Sequence, residues 1–274
     1  MIRCLIATIF LLVSVINSYS YTRSDFAVSV CGTDAADSVA VVPAGVTAIP
    51  DFAFADNANI RHVILPEGLE TIGEYAFLGC TSLESLTLPS SLKTIGEGAF
   101  RECTALESLT IPSGVTVVPR YLCAWSTSLE SVSLPDNLKD IASHAFAYCA
   151  SLQRIEIPSG VKHIGSNVFS ECHSLEEIEL PTSIEELESY AFSGCRSLRK
   201  AVLPANDKLL GEYLFTGCQA LQEIICQSRK PAPFDCGTPF FDPSESALYT
   251  SCRLIVPASS RHLYRCSPVW SLFL

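Results

Sequence analysis

Thirteen cysteines, five histidines and a file of regularly placed glutamates are the residues with chemistry to offer in this 274-residue chain. Six cysteines, at 80, 103, 149, 172, 195 and 218, lie on one progression with a step of 23 and a single gap. Such a file could form a chain of disulfides, a metal ladder, or a line of small buried thiols. Side chains stacked in parallel do not point at each other, as a disulfide requires. A metal needs ligands in one tight cluster, and the chain has no Cys-x-x-Cys and no paired His/Cys spacing. Buried free thiols, acting as compact hydrophobes, are therefore the expectation, with no metal and no cofactor.

Catalytic signatures are missing as well. The chain lacks Gly-x-Ser-x-Gly, His-Glu-x-x-His and a phosphate-cradling glycine loop. His62, His144, His163, His173 and His262 fall in different positions of the repeat or in the tail, so they cannot converge on one reacting centre. Glu84, Glu107, Glu130 and Glu176 form a file that Gln153 interrupts, and a single file does not surround a calcium ion with oxygens. The expectation is a protein that is not an enzyme.

The elements that position these residues repeat with the same period. Prolines stand at 43, 66, 89, 112, 135, 158, 181 and 204, each 23 after the last. One unit, Leu83 to Ala105, reads LESLTLPSSLKTIGEGAFRECTA. Alternation sends Leu86 and Leu88 inward while Ser85 and Thr87 face out. Pro89 ends the strand because it has no N–H to donate. A second extended piece carries Leu92 and Ile95 inward, and Ala99-Phe100 fills the interior before Cys103. Each coil leaves a stripe that only a neighbouring coil can cover. The fold class expected is a β-rich, right-handed, curved solenoid: a leucine-rich repeat stack of about eight 23-residue coils with a parallel sheet roughly 38 Å long.

The unit resembles that of the BspA-like leucine-rich repeat family, L-x-x-I-x-L-P-x-x-L-x-x-I-x-x-x-A-F-x-x-C-x-x-L, and the resemblance spans residues 39–226. It implies an exported surface or periplasmic protein of the kind found in host-associated bacteria and some protists, associated with adhesion and protein binding. It also implies an N-terminal cap at 21–38 and a C-terminal cap at 227–274, the latter carried by Pro231, Pro233, Leu254-Ile-Val-Pro257, Tyr264 and Trp270. Cys31, Cys226, Cys236, Cys252 and Cys266 lie outside the cysteine file. Export permits one disulfide among Cys226, Cys236, Cys252 and Cys266, with three sets of pairings open, as an alternative to none.

Two surfaces are candidates for binding a partner. One is the outward strand positions, small and uncharged at Ser85, Thr87, Ser108, Thr110, Ser131 and Ser133, then charged at Arg154, Glu156, Glu177, Glu179, Lys200 and Glu223. The other is the fourth coil, where Cys123 replaces the core phenylalanine and Ser126 the file cysteine. An unfilled ring-sized hole would cost about 3–5 kcal/mol. Packing therefore favours Trp125 turned inward to fill it. The alternative pairs Trp125 with Tyr148 as an exposed aromatic anchor.

Charge bounds the partners. Eighteen Lys and Arg against 29 Asp and Glu give a net charge of −11, which disfavours nucleic acid and anionic lipid. Met1–Ser20 reads as a secretory signal, with Arg3 ahead of the apolar Leu5–Ile16 run and Ser18-Tyr19-Ser20 as the cleavage site. Nothing after it reads as a membrane span, and the expected location is secreted, cell-surface or periplasmic. The functional expectation is an adhesion module recognising a host or microbial surface protein. The alternative is a surface scaffold or accessory glycan-binding protein without a discrete protein partner.

Overall fold

A computed structural model describes residues 39–205, 210–233, 240–245 and 247–273. The candidate signal, the N-terminal cap, Cys31 and Cys236 lie outside the described residues. The chain is a parallel-sheet β-solenoid of about eight coils with the expected 23-residue step. Coil 3 is residues 83–105 and coil 4 is 106–128. Each coil has three sides.

The first side is the strand that precedes each proline. Val39 pairs with His62 and His62 with Ser85, Ser108 with Ser131 and Ser131 with Arg154, then Glu177 with Lys200 and Lys200 with Glu223, all parallel. The last pairing, Glu223 with Arg253, steps by 30. Leu86 and Leu88 are buried and Ser85 and Thr87 exposed, as period-two alternation requires. Each proline then opens a turn, its carbonyl accepting the N–H three residues on: Leu92 N–H to Pro89 O at 3.1 Å, Val161 to Pro158 at 3.1 Å, Leu138 to Pro135 at 3.0 Å.

The second side is a two-residue strand. Ala48, Thr71 and Thr94 are in register, as are Val117, Asp140, His163 and Glu186. Its inward residues, such as Ile72 and Ile164, are fully buried.

The third side is a turn whose hydrogen bonds between coils run one way. On the strand sides N–H groups alternate between the preceding coil, as Glu84 N to Arg61 O at 2.9 Å, and the next, as Val42 N to Ile64 O at 2.9 Å; here they point to the next, as in Phe52 N to Glu74 O at 2.9 Å and Phe54 N to Ala76 O at 2.7 Å. This one-way bonding uses two left-handed positions per coil. One column holds Phe52, Tyr75, Gly98, Tyr121, His144, Asn167, Tyr190 and Tyr213; the other holds Asp56, Gly79, Glu102, Trp125, Tyr148, Glu171, Gly194 and Gly217. Gly98, at φ +59°, differs from the other members of its column in that a Cβ there would stand 2.4 Å from the Tyr75 ring.

A ladder of rings fills the interior. Phe54–Phe77–Phe100 stack at centroid distances of 4.9 and 5.4 Å, and Phe146–Phe169–Phe192–Phe215 at 5.8, 5.6 and 5.6 Å. The file cysteines sit beside it, and each donates its thiol to a carbonyl 26 residues earlier: Cys103 to Phe77 at 3.2 Å, Cys172 to Phe146 at 3.2 Å, Cys218 to Phe192 at 3.1 Å. Burial pushes the Cys103, Cys149, Cys172 and Cys218 thiols up, so these four stay protonated donors. Ser126 makes the same bond to Phe100 O at 2.9 Å, which explains why serine is tolerated at the gap in the file.

After the eighth coil, Phe240 extends the ring ladder, 5.9 Å from Phe215. Trp270 meets Phe240 edge-on at 4.9 Å and donates its indole N–H to Ala232 O at 3.0 Å. The Glu245 carboxylate accepts the Gly217 N–H at 3.0 Å, satisfying a donor that in earlier coils points to the next coil. Ala247–Ser251 and Arg261–Arg265 are short helices, and no helix among the described residues is long and apolar enough to cross a membrane. Of the four cysteines considered for a cap disulfide, Cys226, Cys252 and Cys266 are free, and Cys236 lies outside the described residues. Cys226 is buried with its sulfur 3.0 Å from the Tyr264 hydroxyl, Cys252 is buried, and Cys266 is exposed, so each serves a different environment.

Candidate functional site

The outward residues of the first side form two rows across the coils. The first row reads His62, Ser85, Ser108, Ser131, Arg154, Glu177, Lys200, Glu223 and Arg253. The second reads Ile64, Thr87, Thr110, Ser133, Glu156, Glu179, Val202, Ile225 and Ile255. From Arg154 onward the first row alternates in sign. Its partners along the register, Glu177 beside Lys200 and Glu223 beside Arg253, are opposite charges on neighbouring strands.

Only part of that row is neutralised internally. Arg253 binds Glu223 directly. Arg154, Glu156, Glu177, Glu179 and Lys200 make no ion pair and no side-chain hydrogen bond among the described residues. Elsewhere the surface charges pair across the coil step: Arg61 with Glu84 at 3.2 Å, Lys93 with Glu70 at 2.7 Å, Lys162 with Glu185 at 3.2 Å, and His163 with Glu186 at 3.3 Å.

The five unpaired charges share a groove of about 300 Å³ lined by Arg154–Glu156, Glu176–Glu179, Lys200 and Val202. A second depression, about 330 Å³, adjoins it on the hydroxyl-rich side, and Arg154 lines both. The groove lies where the first-side sheet is interrupted: the strand Arg154–Ile155 ends one sheet, and Glu177–Glu179 begins the next. There the backbone link from Glu176 N to Gln153 O is 3.4 Å, against 2.8 Å from Arg199 N to Glu176 O one coil on. The structure thus brings the strand-face candidates together, and places Trp125 and Tyr148 on the third side.

Trp125 does not turn inward, which corrects the packing expectation. Its left-handed backbone, φ 64°, directs the indole outward, where it stacks on Tyr148 at 5.0 Å with a 7° interplanar angle. The opposite face of the indole carries the Arg101 guanidinium at 4.6 Å. Cys123 stays in the core, fully buried, and the lost ring is offset from the neighbouring column: fully buried Leu122 stands where Ala99 and Ala145 stand in adjacent coils. Stacked pairs also occur at Phe52–Tyr75, Tyr121–His144 and Tyr190–Tyr213, at 5.3, 4.8 and 5.2 Å. In each pair one face of each ring meets the other ring.

Several polar groups of this side are engaged locally, whereas the buried His144 Nδ1 and Thr216 Oγ1 have no hydrogen-bond partner among the described residues. Tyr75 donates to Glu97 at 2.6 Å, and that bond to a carboxylate pushes its pKa up to about 12. His144 is held below its ordinary pKa, first by burial and second by the nearby Arg120 charge. His173 and Arg196 both approach Glu171, at 2.8 and 3.9 Å. Among the described residues no three His, Cys, Asp or Glu side chains could hold a metal ion together.

The comparisons with known proteins agree with this geometry. The BspA type leucine rich repeat region matches residues 38–152 and 116–231, in six copies. The chain belongs to this family. A search of curated proteins finds no match. Among solved structures, it is similar to a leucine rich cell surface protein of Faecalibacterium prausnitzii, at 27% identity and a TM-score of 0.52 over 71% of this chain. It is also similar to a leucine-rich repeat protein of Bacteroides ovatus, at 26% identity and a TM-score of 0.55 over 80% of this chain. In each case the match spans 62% of the other chain.

Two features escaped the sequence reading. The left-handed columns were signalled by Gly79, Gly194 and Gly217 in one register and Gly98 in the other. The charge pairing across coils was signalled by opposite charges exactly one period apart, as at Arg61–Glu84, Glu70–Lys93 and Lys162–Glu185.

Proposed function

We propose that this chain is an exported, non-enzymatic binding module that recognises a protein at a host or microbial surface through the strand-face groove around Arg154. In this reading residues 1–20 are a secretory leader, 21–38 and 227–274 close the two ends of the repeats, and the working location is the cell surface, the periplasm or the medium. One observation carries it: Arg154, Glu156, Glu177, Glu179 and Lys200 lie together on one open face without internal partners. Charges without internal partners have their attraction available to a complementary partner, which gains it against the cost of ordering their side chains. The pattern of signs, basic at Arg154 and Lys200 with acids between and beside them, selects a partner of matching alternation over one of uniform charge. Membership of a surface-type repeat family supports the same reading.

The glycan alternative is weaker because sugar recognition uses free aromatic faces, and here the ring faces are stacked on each other or covered by Arg101. The test is capture from host-matrix and bacterial-surface extracts at physiological salt, with the chain from residue 21 onward immobilised beside its Arg154→Glu and Lys200→Glu variants. A protein retained by the wild type and lost from both variants supports groove recognition. Retention by none, together with concentration-dependent sedimentation of the chain alone, would favour the scaffold reading.

A further inference from the structure

The boundary between coils 3 and 4 differs from every other junction in the stack. On the second side, the strands Thr94–Ile95 and Val117–Val118 are unpaired, whereas that column runs continuously from Val117–Val118 to Glu186–Leu187. On the first side, Ser85–Leu86 and Ser108–Thr110 are also unpaired, and the link from Glu107 N to Glu84 O is 3.5 Å, against 2.8 Å from Glu130 N to Glu107 O. The groove junction between Arg154–Ile155 and Glu177–Glu179 is interrupted on the first side alone. Only the coil 3/4 junction loses both ladders.

The cause is readable in the chain. Gly73, Gly96, Ala142, Gly165, Glu188 and Gly211 each donate an N–H to the preceding coil, at 2.7–2.9 Å. Pro119 occupies this column in coil 4 and has no N–H. In the interior, Cys123 interrupts the ring ladder in the same coil. The third side, by contrast, is intact: Gly98 N to Arg120 O and Phe100 N to Leu122 O at 2.9 Å, and Glu102 N to Ala124 O at 2.8 Å. Across that side lies one side-chain clamp, with Arg101 of coil 3 over Trp125 at 4.6 Å and Tyr121 at 5.7 Å, both of coil 4.

We propose that this junction is a hinge. It opens on the two strand sides and pivots on the third, and the Arg101–Trp125 clamp sets its stiffness. Flexing there tilts coils 1–3 against the coils bearing the Arg154 groove, so the strand face can alter its curvature to follow a partner longer than the groove. The idea does not depend on the groove being the binding site, since it concerns backbone bonds in the chain alone.

Hydrogen exchange at single-residue resolution on the full chain tests it. Val117, Ser108 and Thr110, whose N–H groups face this junction, should exchange at least tenfold faster than their counterparts Asp140, Ser131 and Ser133. Phe100 and Glu102 should remain protected. Pro119→Ala, which places in coil 4 the residue found at 142, should restore the donor and slow exchange at Val117. Arg101→Ala should speed exchange at Gly98, Phe100 and Glu102 while leaving Phe192 unchanged, and Arg101→Lys should recover part of the protection. Uniform exchange across coils 2 to 5 in the wild type would overturn the hinge, as would a Pro119→Ala protein with an unaltered rate at Val117. Loss of protection throughout the chain in Arg101→Ala would reduce the clamp to a general stabiliser and refute its role as a local latch.

Discussion

The first side of the coil carries charges and the third side both charges and rings, and the two sides use them differently. On the third side almost every polar or aromatic group has a neighbour: Arg101 on Trp125, Trp125 on Tyr148, Tyr121 on His144, Tyr75 on Glu97. On the first side, Arg154, Glu177, Glu179 and Lys200 face solvent together without partners. The contrast teaches which residues hold the solenoid and which are available to something else. Residues whose interactions are complete within the chain serve stability; in the proposed function, those left incomplete are the ones a partner would use.

Mutation should separate the two sides. Trp125→Ala removes a stacked ring and a cation–π contact, and a loss of about 2 kcal/mol of unfolding free energy is expected by urea titration. Affinity for a captured partner should not change. Weakened binding at unchanged stability would reverse the assignment of the two sides.

The mirror experiment is Arg154→Glu. Its unfolding free energy should stay within about 0.5 kcal/mol of wild type, as for an exposed residue without internal partners. Its affinity for the partner should fall tenfold or more, about 1.4 kcal/mol. Unfolding curves and titration calorimetry on the same preparation would read both quantities.

A smaller effect is expected inside. Cys149→Ala deletes the thiol donor to Cys123 O, a bond of 3.2 Å, and should cost about 1 kcal/mol. Cys149→Ser should recover most of that, because Ser126 already performs the same task one coil earlier. In the native protein a thiol reagent should label Cys266 well ahead of the buried file.

The smallest is a pH effect on the third side. Burial and Arg120 hold the His144 pKa below its ordinary 6.5. Below that pH the unfolded chain therefore binds more protons at this position than the native one does. Stability from the neutral ring is present above about pH 6.5 and declines as the pH falls toward the native pKa. His144→Asn, matching Asn167 in the same column, should flatten that part of the stability–pH curve. An unchanged acid limb would show that His144 does not contribute to it.

Much of this was legible in the residues. Pro43 to Pro204 set the coil step, and the strands pair in that register until the final step of 30 to Arg253. The file of cysteines was rightly read as buried thiols, although their donation to carbonyls was not foreseen. Trp125 was misread because volume alone was weighed. A left-handed backbone turns the side chain at that position outward, whatever hole lies beneath, and Leu122 from the adjacent column supplied the missing carbon. The strand-face candidates were identified by alternation, but alternation does not say whether two opposite charges one coil apart will meet. Glu223 and Arg253 do; Glu177 and Lys200 do not.

The amino-acid order alone determined the period, the inward and outward faces, and the need of each coil for its neighbours. These are one-dimensional properties: a repeat of apolar positions implies a shared core wherever the coils are placed. Tertiary structure alone decided the one-way hydrogen bonding of the third side and the pairing or isolation of each surface charge. Those outcomes depend on distances between coils, which differ by tenths of an ångström from junction to junction, and no repeat pattern encodes so fine a spacing.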